Sequence, residues 1–291
     1  MRRFEYFAPQ SLAEAIALFG EKGEGGRALA GGTDIVPQIK EGGKIPMPSY
    51  IVSLRRLPEL RGIEFSESNG LRIGAAVTMA ELAESPVVGE RYRALADGAG
   101  VVGSTQTMNM ATIGGNVCNA APSADTAPAL LGYEAVAVIA GPDGERELPL
   151  AEFWRGPSAT ALQPGELLRE LRLPAPPAST GGVYVRQTPR KQMDIAVVGV
   201  AVLLTLDGDH VQRARVALAA VAPTVIRAPE AEAALEGQPA SESVFAKAAE
   251  AAAAEARPIS DQRGSAEFRR HLVWVTTERC LHEAARRARG A

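Results

Sequence analysis

The chain has 291 residues, of which 46% are hydrophobic and 22% are charged, and its formal net charge is −3 at pH 7. This length predicts about two domains, and the composition is that of a globular chain rather than a disordered one. With 31 basic against 34 acidic residues, we expect no nucleic-acid partner. The 2 Cys and 3 His exclude a zinc ribbon or a four-cysteine iron–sulfur cluster held by this chain alone, and we expect no metal site.

Apolar periodicity and turn formers predict the elements of the chain. The amino-terminal elements are a helix at 11–20, strands at 27–30, 50–54 and 71–77, a helix at 79–84 and a hairpin of strands at 134–140 and 145–150. The carboxyl-terminal elements are a long hairpin of strands at 195–206 and 211–221, then helices at 230–235, 243–256 and 265–289. Strict alternation of strands and helices is missing, which argues against a doubly wound parallel sheet.

Three stretches are predicted on other grounds. Residues 98–119 contain no plausible long helix or strand and are predicted to be irregular, a feature that in a segment of this length usually has a functional cause. Residues 174–182 (PAPPASTGG) form the clearest linker. The last helix is predicted to bury a stripe that contains Phe268, Leu272, Val275 and Leu281.

No membrane span or export signal is expected. The most apolar run, at 195–206, is shorter than the roughly 18 residues that a membrane helix needs. The two Arg near the amino terminus are not followed by the apolar segment of a signal peptide. Together with the low use of cysteine, these features predict a cytoplasmic protein.

Two glycine-containing segments carry the chemistry. The first is LAGGTDI at 29–35, and the second is TIGGN at 112–116, which continues to Asp125. Glycine lets backbone N–H groups approach an anion closely, and successive N–H groups in a turn form an anion-binding nest. Two such loops fit the two phosphates of a dinucleotide. The alternative for either loop alone is an ordinary turn.

A third glycine pattern competes with these loops. Residues 98–103 (GAGVVG) match G-x-G-x-x-G, and Asp125 follows. A dinucleotide-binding Rossmann unit requires a strand before this pattern and a helix after it. The residues before it look helical and those after it look irregular, so a tight loop is the favoured interpretation.

Two side chains near the second loop have competing interpretations. Asp125 is either the N-cap of a following helix or an acceptor for the ribityl or ribose hydroxyls of a cofactor. Cys118 is most simply a small buried side chain, since no second cysteine lies near it in the sequence to form a redox pair.

The two loops, in this order and at this separation, resemble the flavin-binding medium subunit of the molybdenum hydroxylases, the family of xanthine dehydrogenase and aerobic carbon monoxide dehydrogenase. The similarity extends over nearly the whole chain, for example over AGGTDIVPQIK at 30–40 and PISDQRGSAEFRR at 258–270. It implies an α+β fold. A two-part FAD-binding domain of the vanillyl-alcohol-oxidase-like type would span 1–176, with parts at about 1–55 and 56–176, and a smaller α+β domain would span 177–291.

The resemblance also implies FAD as the cofactor and names its contacts. Arg186 stands where some members have a lysine near the flavin, and Tyr184 is a candidate neighbour of the ring. No side chain is expected to act as a catalytic acid or base, because the flavin supplies the chemistry. The full set of implied cofactor contacts is Ala28, Leu29, Ala30, Gly31, Gly32, Thr33, Asp34, Ile35, Val102, Thr112, Ile113, Gly114, Gly115, Asn116, Asp125, Leu168, Tyr184 and Arg186.

The family's medium subunit is one of three partners. The resemblance implies a large subunit with the molybdenum cofactor, a small subunit with two [2Fe–2S] clusters, and an electron acceptor such as NAD or O2 for the reduced FAD. Two alternatives stay open from the sequence. One is a free-standing FAD-dependent oxidoreductase of the same fold, and the other is a nucleotide-binding module without catalysis.

Overall fold

The structure is a computed structural model that describes residues 3–41 and 46–290. A three-stranded parallel sheet with the strand order β1-β3-β2 forms its amino-terminal part. The elements here are β1 (Glu5–Phe7), α1 (Leu12–Lys22), β2 (Gly26–Leu29), α2 (Ile35–Glu41) and β3 (Tyr50–Ser53). Ser11 begins α1 by accepting a hydrogen bond from the backbone N–H of Glu14. The first glycine loop follows β2, at the carboxyl edge of the sheet, where ligands commonly bind.

A five-stranded antiparallel sheet with the order β4-β5-β10-β6-β7 forms the second part. Thr78 and Glu81 make a capping box at the start of the helix that the sequence predicts at 79–84. The elements, including the small two-stranded sheet of β8 and β9, are β4 (Ile63–Ser66), β5 (Gly70–Gly74), α3 (Met79–Glu84), α4 (Pro86–Arg91), α5 (Arg93–Ala99), α6 (Thr105–Met108), α7 (Ile113–Asn119), α8 (Ala127–Gly132), β6 (Val136–Gly141), β7 (Gly144–Pro149), β8 (Trp154–Gly156), β9 (Ala159–Thr160) and β10 (Leu167–Leu173).

The prediction that residues 98–119 are irregular is wrong in part. Helices α6 and α7 lie in this stretch, although both are short. The side chains of Ser104 and Thr112 accept hydrogen bonds from the N–H groups three residues later and so begin these two helices. The Rossmann interpretation of residues 98–103 is excluded, because this segment begins within helix α5 and is not preceded by a strand.

The carboxyl-terminal part is a four-stranded antiparallel sheet, β11-β12-β13-β14, followed by helices. Its elements are β11 (Thr180–Gln187), β12 (Val198–Asp207), β13 (His210–Ala219), β14 (Ile226–Arg227), α9 (Pro229–Ala233), α10 (Glu242–Glu255) and α11 (Ala266–Ala288). The predicted linker is too long, because β11 already begins at Thr180. A Cβ atom on Gly181 would lie 1.9 Å from the backbone oxygen of Ala284, so this glycine allows β11 to pack closely on α11.

The predicted stripe of helix α11 is wrong in part, since Leu281 is fully buried but Val275 is only half-buried. Phe268 is 49% exposed, and Leu272 is only half-buried. The buried face consists mainly of small side chains such as Thr277, Cys280 and Ala284. Small side chains let the helix approach the sheet closely.

The carboxyl-terminal sheet packs on both of its faces. One face shares a buried core with α10 and α11, and the other contributes Tyr184 and Leu203 to the core of the second part. Ion pairs cross the same boundary, since Glu134 pairs with Arg213 and Arg287 pairs with Asp97. The chain thus has the α+β fold that the resemblance implies. Residues from all three parts of the chain line one cavity.

Candidate functional site

A cavity of about 560 Å³ lies where the three parts meet. Both glycine loops, strand β10 and the loop before β12 line it. Fourteen of the predicted contact residues line this cavity: Ala28, Ala30, Gly31, Gly32, Thr33, Asp34, Ile35, Val102, Thr112, Gly114, Gly115, Asn116, Asp125 and Leu168.

The first glycine loop offers a row of free donors. Within the described part of the chain, the backbone N–H groups of residues 31–35 have no protein acceptor. The hydroxyl of Thr33 also lacks a protein partner there. Gly32 has a φ of +81°, a conformation that residues with side chains rarely adopt and that occurs in the turns that form anion-binding nests. These residues line the cavity, so the loop fits an anion such as a pyrophosphate.

Two of the glycines are required by packing within the protein rather than by a ligand. A Cβ atom on Gly31 would lie 1.8 Å from the backbone oxygen of Met110, and one on Gly114 would lie 2.6 Å from the backbone oxygen of Ala75. The glycines therefore let the first loop, the residues before α7 and the end of β5 approach one another. This contact closes the wall of the cavity.

The second glycine loop uses the backbone N–H groups of residues 113–116 within the protein, so the expectation that both loops present a row of free N–H groups is wrong for this loop. Ile113 and Gly114 donate to the backbone oxygens of Val77 and Ala75, both at 2.9 Å. The N–H of Gly115 donates to the Thr112 hydroxyl at 3.1 Å, and that of Asn116 to the Thr112 backbone oxygen at 3.0 Å. The loop is thus held by hydrogen bonds within the protein, and among the described residues only its side chains and the N–H of Thr112 remain for a ligand.

Asn116 offers one such side chain. Its carboxamide oxygen accepts a hydrogen bond of 2.7 Å from the hydroxyl of Thr126. That bond orients the amide and leaves its NH2 group without a protein acceptor among the described residues. Because Asn116 lines the cavity, this NH2 group can donate to a ligand there.

Asp125 supplies the buried carboxylate of the cavity. Its side chain accepts 2.8 Å hydrogen bonds from the Tyr184 hydroxyl and from Nη1 of Arg186. Burial raises the pKa of Asp125 to about 6, although Arg186 and Tyr184 both act to lower it. The N-cap alternative is excluded, since α8 has Thr126 at its N-cap and no side chain caps it.

Four predicted contacts lie outside the lining. Ile113 is fully buried in the core, and Leu29 ends β2, where its backbone oxygen accepts from Leu54. Tyr184 and Arg186 lie on β11 behind Asp125 and contact its carboxylate instead of the cavity.

The comparisons with known proteins agree with this geometry. The profile of the FAD binding domain in molybdopterin dehydrogenase matches residues 2–176, and that of the CO dehydrogenase flavoprotein C-terminal domain matches residues 183–284. The chain belongs to the molybdopterin dehydrogenase flavoprotein family. It is 35% identical to the carbon monoxide dehydrogenase medium chain of Hydrogenophaga pseudoflava over 97% of both chains. It is 34% identical to a putative xanthine dehydrogenase FAD-binding subunit of Escherichia coli, over 98% of this chain and 97% of that one.

Solved structures show the same relationship. A chain of carbon monoxide dehydrogenase from Hydrogenophaga pseudoflava, in a form that lacks the Mo-pyranopterin moiety, superposes with a TM-score of 0.92 at 36% identity over 97% of both chains. The resemblance drawn from the two glycine loops is thereby confirmed, as is FAD as the cofactor. This flavoprotein is an oxidoreductase subunit with an FAD-binding and a C-terminal domain.

The structure also brings to the cavity residues that were not among the predicted cofactor contacts. Some lie within the quoted 112–125 segment and could have been included by continuing along it, whereas the others come from distant strands and loops. The added residues are Arg27, Gln38, Leu54, Leu60, Ala75, Ala76, Gly103, Thr107, Ala111, Cys118, Asn119, Ala121, Ser123, Ala124, Leu162, Glu166, Leu167, Asp194 and Ile195.

Two further observations concern the described residues alone. Over 3–41 and 46–290, no three His, Cys, Asp or Glu side chains come together as metal ligands. That the chain binds no metal stays a prediction. Over the same residues, no helix combines the length and apolarity needed to cross a membrane.

Proposed function

We propose that this flavoprotein is the electron-transferring subunit of a molybdenum hydroxylase. It takes electrons from [2Fe–2S] clusters of a small partner, while a large partner carries the molybdenum cofactor, and it passes them to an acceptor such as NAD or O2. The full-length similarity to a carbon monoxide dehydrogenase medium chain supports this role. We place the complex in the cytoplasm and divide the chain into domains at 1–176 and 177–291.

The observation that carries the binding part of the proposal is that the free N–H groups of residues 31–35 and the Asp125 carboxylate belong to residues lining one cavity. The N–H groups would hold the pyrophosphate of FAD, and the Asn116 NH2 group would add a donor. Asp125 would accept from a ribityl or ribose hydroxyl through lone pairs that Tyr184 and Arg186 do not use.

Val102 and Leu168 offer apolar surface in the same cavity and would contact the uncharged parts of the cofactor. When bound, FAD supplies the redox chemistry. The residues of this chain bind and orient it, and none is assigned as a catalytic acid or base.

Purification of the native complex tests the proposal. We expect the tagged full-length chain to co-purify with two partners, and the complex to contain FAD, iron and molybdenum by absorbance and elemental analysis. The matched control is the same chain expressed alone, whose FAD should not be reduced by organic substrates. A chain that purifies without metal-containing partners, and whose flavin is bleached rapidly by an organic substrate, contradicts the proposal in favour of a free-standing oxidoreductase.

A further inference from the structure

The carboxylate of Asp125 is held from outside the cavity by two side chains of one strand. Tyr184 and Arg186 are two residues apart and so lie on the same face of β11. The Tyr184 hydroxyl donates to Oδ1 of Asp125 and Nη1 of Arg186 donates to Oδ2, both at 2.8 Å. All three side chains are buried, with Arg186 only 6% exposed. Neither donor lines the cavity, whereas Asp125 does. The two donors therefore act on a ligand indirectly, through residues that line the cavity.

Arg186 also fixes a second part of the cavity wall. The same Nη1 atom donates to the backbone oxygen of Asp194 at 3.2 Å. Asp194 and its neighbour Ile195 line the cavity, in the loop between β11 and β12. One buried guanidinium thus connects the carboxylate of the FAD-binding part to the lining loop of the carboxyl-terminal part.

We propose that Tyr184 and Arg186 are positioning residues through which the carboxyl-terminal sheet completes the cofactor site, by holding Asp125 oriented and ionised as an acceptor for FAD. The inference rests on the proposed contact between Asp125 and FAD. An ionised carboxylate accepts hydrogen bonds at both oxygens, whereas a protonated one can turn its O–H toward the ligand. Since the two donors occupy one lone pair on each oxygen, the other lone pairs remain for cofactor hydroxyls.

The charges around Asp125 favour this role. Arg186 is the cation that faces the carboxylate, Tyr184 is the neutral donor, and the buried thiol of Cys280 lies near Tyr184. Burial opposes ionisation of Asp125, and the two donors offset part of that effect. Without the guanidinium, no cation offsets the effect of burial. The pKa of Asp125 should then rise, and the carboxyl should be protonated up to a higher pH.

FAD titrations of the full-length apoprotein between pH 5 and pH 8.5 test the inference, with the dissociation constant measured by flavin fluorescence. For the wild type, we expect the affinity for FAD to fall as the pH drops, with the midpoint of this fall at about pH 6. Arg186→Gln should move this midpoint upward by roughly one to three pH units and weaken binding at pH 7.5 on the order of tenfold. Arg186→Lys keeps the charge and should restore a midpoint near that of the wild type.

Two further variants separate positioning from general stability. Tyr184→Phe removes one O–H group and should move the midpoint upward by less than Arg186→Gln does. The matched control is Arg213→Gln, because Arg213 also pairs across the boundary, with Glu134, but does not line the cavity. This control should keep the wild-type midpoint.

The outcomes are distinguishable. An unchanged midpoint in Arg186→Gln, or an equal shift in Arg213→Gln, overturns the inference while leaving the proposed function intact. If Arg186→Gln fails to fold, as judged by circular dichroism, the midpoint of Tyr184→Phe decides in its place. A wild-type chain that takes up no FAD at any pH overturns the proposed function itself.

Discussion

A Cβ atom on Gly31 would lie 1.8 Å from the backbone oxygen of Met110. Gly31 belongs to the first glycine loop, and Met110 lies just before the second. The pair therefore joins the parallel sheet to the antiparallel part and brings the two motifs to one cavity. A backbone oxygen cannot rotate away as a side chain can, so this contact leaves no room for any residue but glycine.

We expect Gly31→Ala to lower the free energy of unfolding by about 1–3 kcal/mol, the usual cost of overpacking. FAD binding should weaken in parallel, because the wall of the cavity would open. Chemical denaturation measures the first effect and fluorescence titration the second. Gly89→Ala is the control, since a Cβ atom on Gly89 in α4 meets nothing within 4 Å. Equal stability of the two variants would contradict the packing role of Gly31.

The hydroxyls of Thr33 and Thr112 should have separable effects. The Thr33 side chain has no protein partner in the described part of the chain, so Thr33→Ala should leave stability unchanged and weaken FAD binding by about 0.5–1.5 kcal/mol. Thr112 caps α7, and Thr112→Ala should lower the free energy of unfolding by about 1 kcal/mol. A loss of stability in Thr33→Ala would show that its hydroxyl serves the fold.

Both cysteine thiols should be unreactive in the native protein at pH 8. Burial raises the pKa of Cys118 and that of Cys280 to about 12, so on the order of one thiol in ten thousand is ionised there, and the thiolate is the reactive form. A thiol-reactive disulfide reagent should titrate both cysteines only after denaturation. Cys280 is buried, whereas Cys118 is half-buried and lines the cavity. A fast-reacting thiol at pH 8 would therefore show that the pKa of Cys118 is not raised and would restore a redox role for it.

The free energy of unfolding of the FAD-free chain should depend on pH because of Asp125. The pKa of Asp125 in the folded chain is raised from 3.8 to about 6. Protonation of Asp125 therefore stabilises the folded chain, and this contribution to the free energy of unfolding is complete below about pH 4 and is lost as the pH rises through 6. The difference in unfolding free energy between the wild type and Asp125→Asn should fall by roughly 3 kcal/mol over that range. Denaturation curves from pH 4 to pH 7 measure it. A difference that grows with pH would mean that Arg186 outweighs burial.

The sequence by itself determined the local elements and the family. The sequence predicts the helices at 11–20 and 79–84 and the hairpin at 134–150 close to where the structure has them, because helix ends and turns depend on a few neighbouring residues. The two glycine motifs, in their order and separation, identified the flavoprotein and its cofactor. In both cases the information lies within a short window of the chain.

The tertiary structure decided what each motif does. Both loops contain a pair of glycines, but only the first keeps all the N–H groups of residues 31–35 free. In the second loop, four N–H groups donate to the backbone oxygens of Ala75 and Val77 or to Thr112. The face of α11 that is buried depends on how closely β11 approaches it. Tyr184 and Arg186 act on Asp125 rather than on the cavity, because β11 packs behind that carboxylate. Hydrogen-bond partners distant in sequence are set by packing between sheets, which no local pattern encodes.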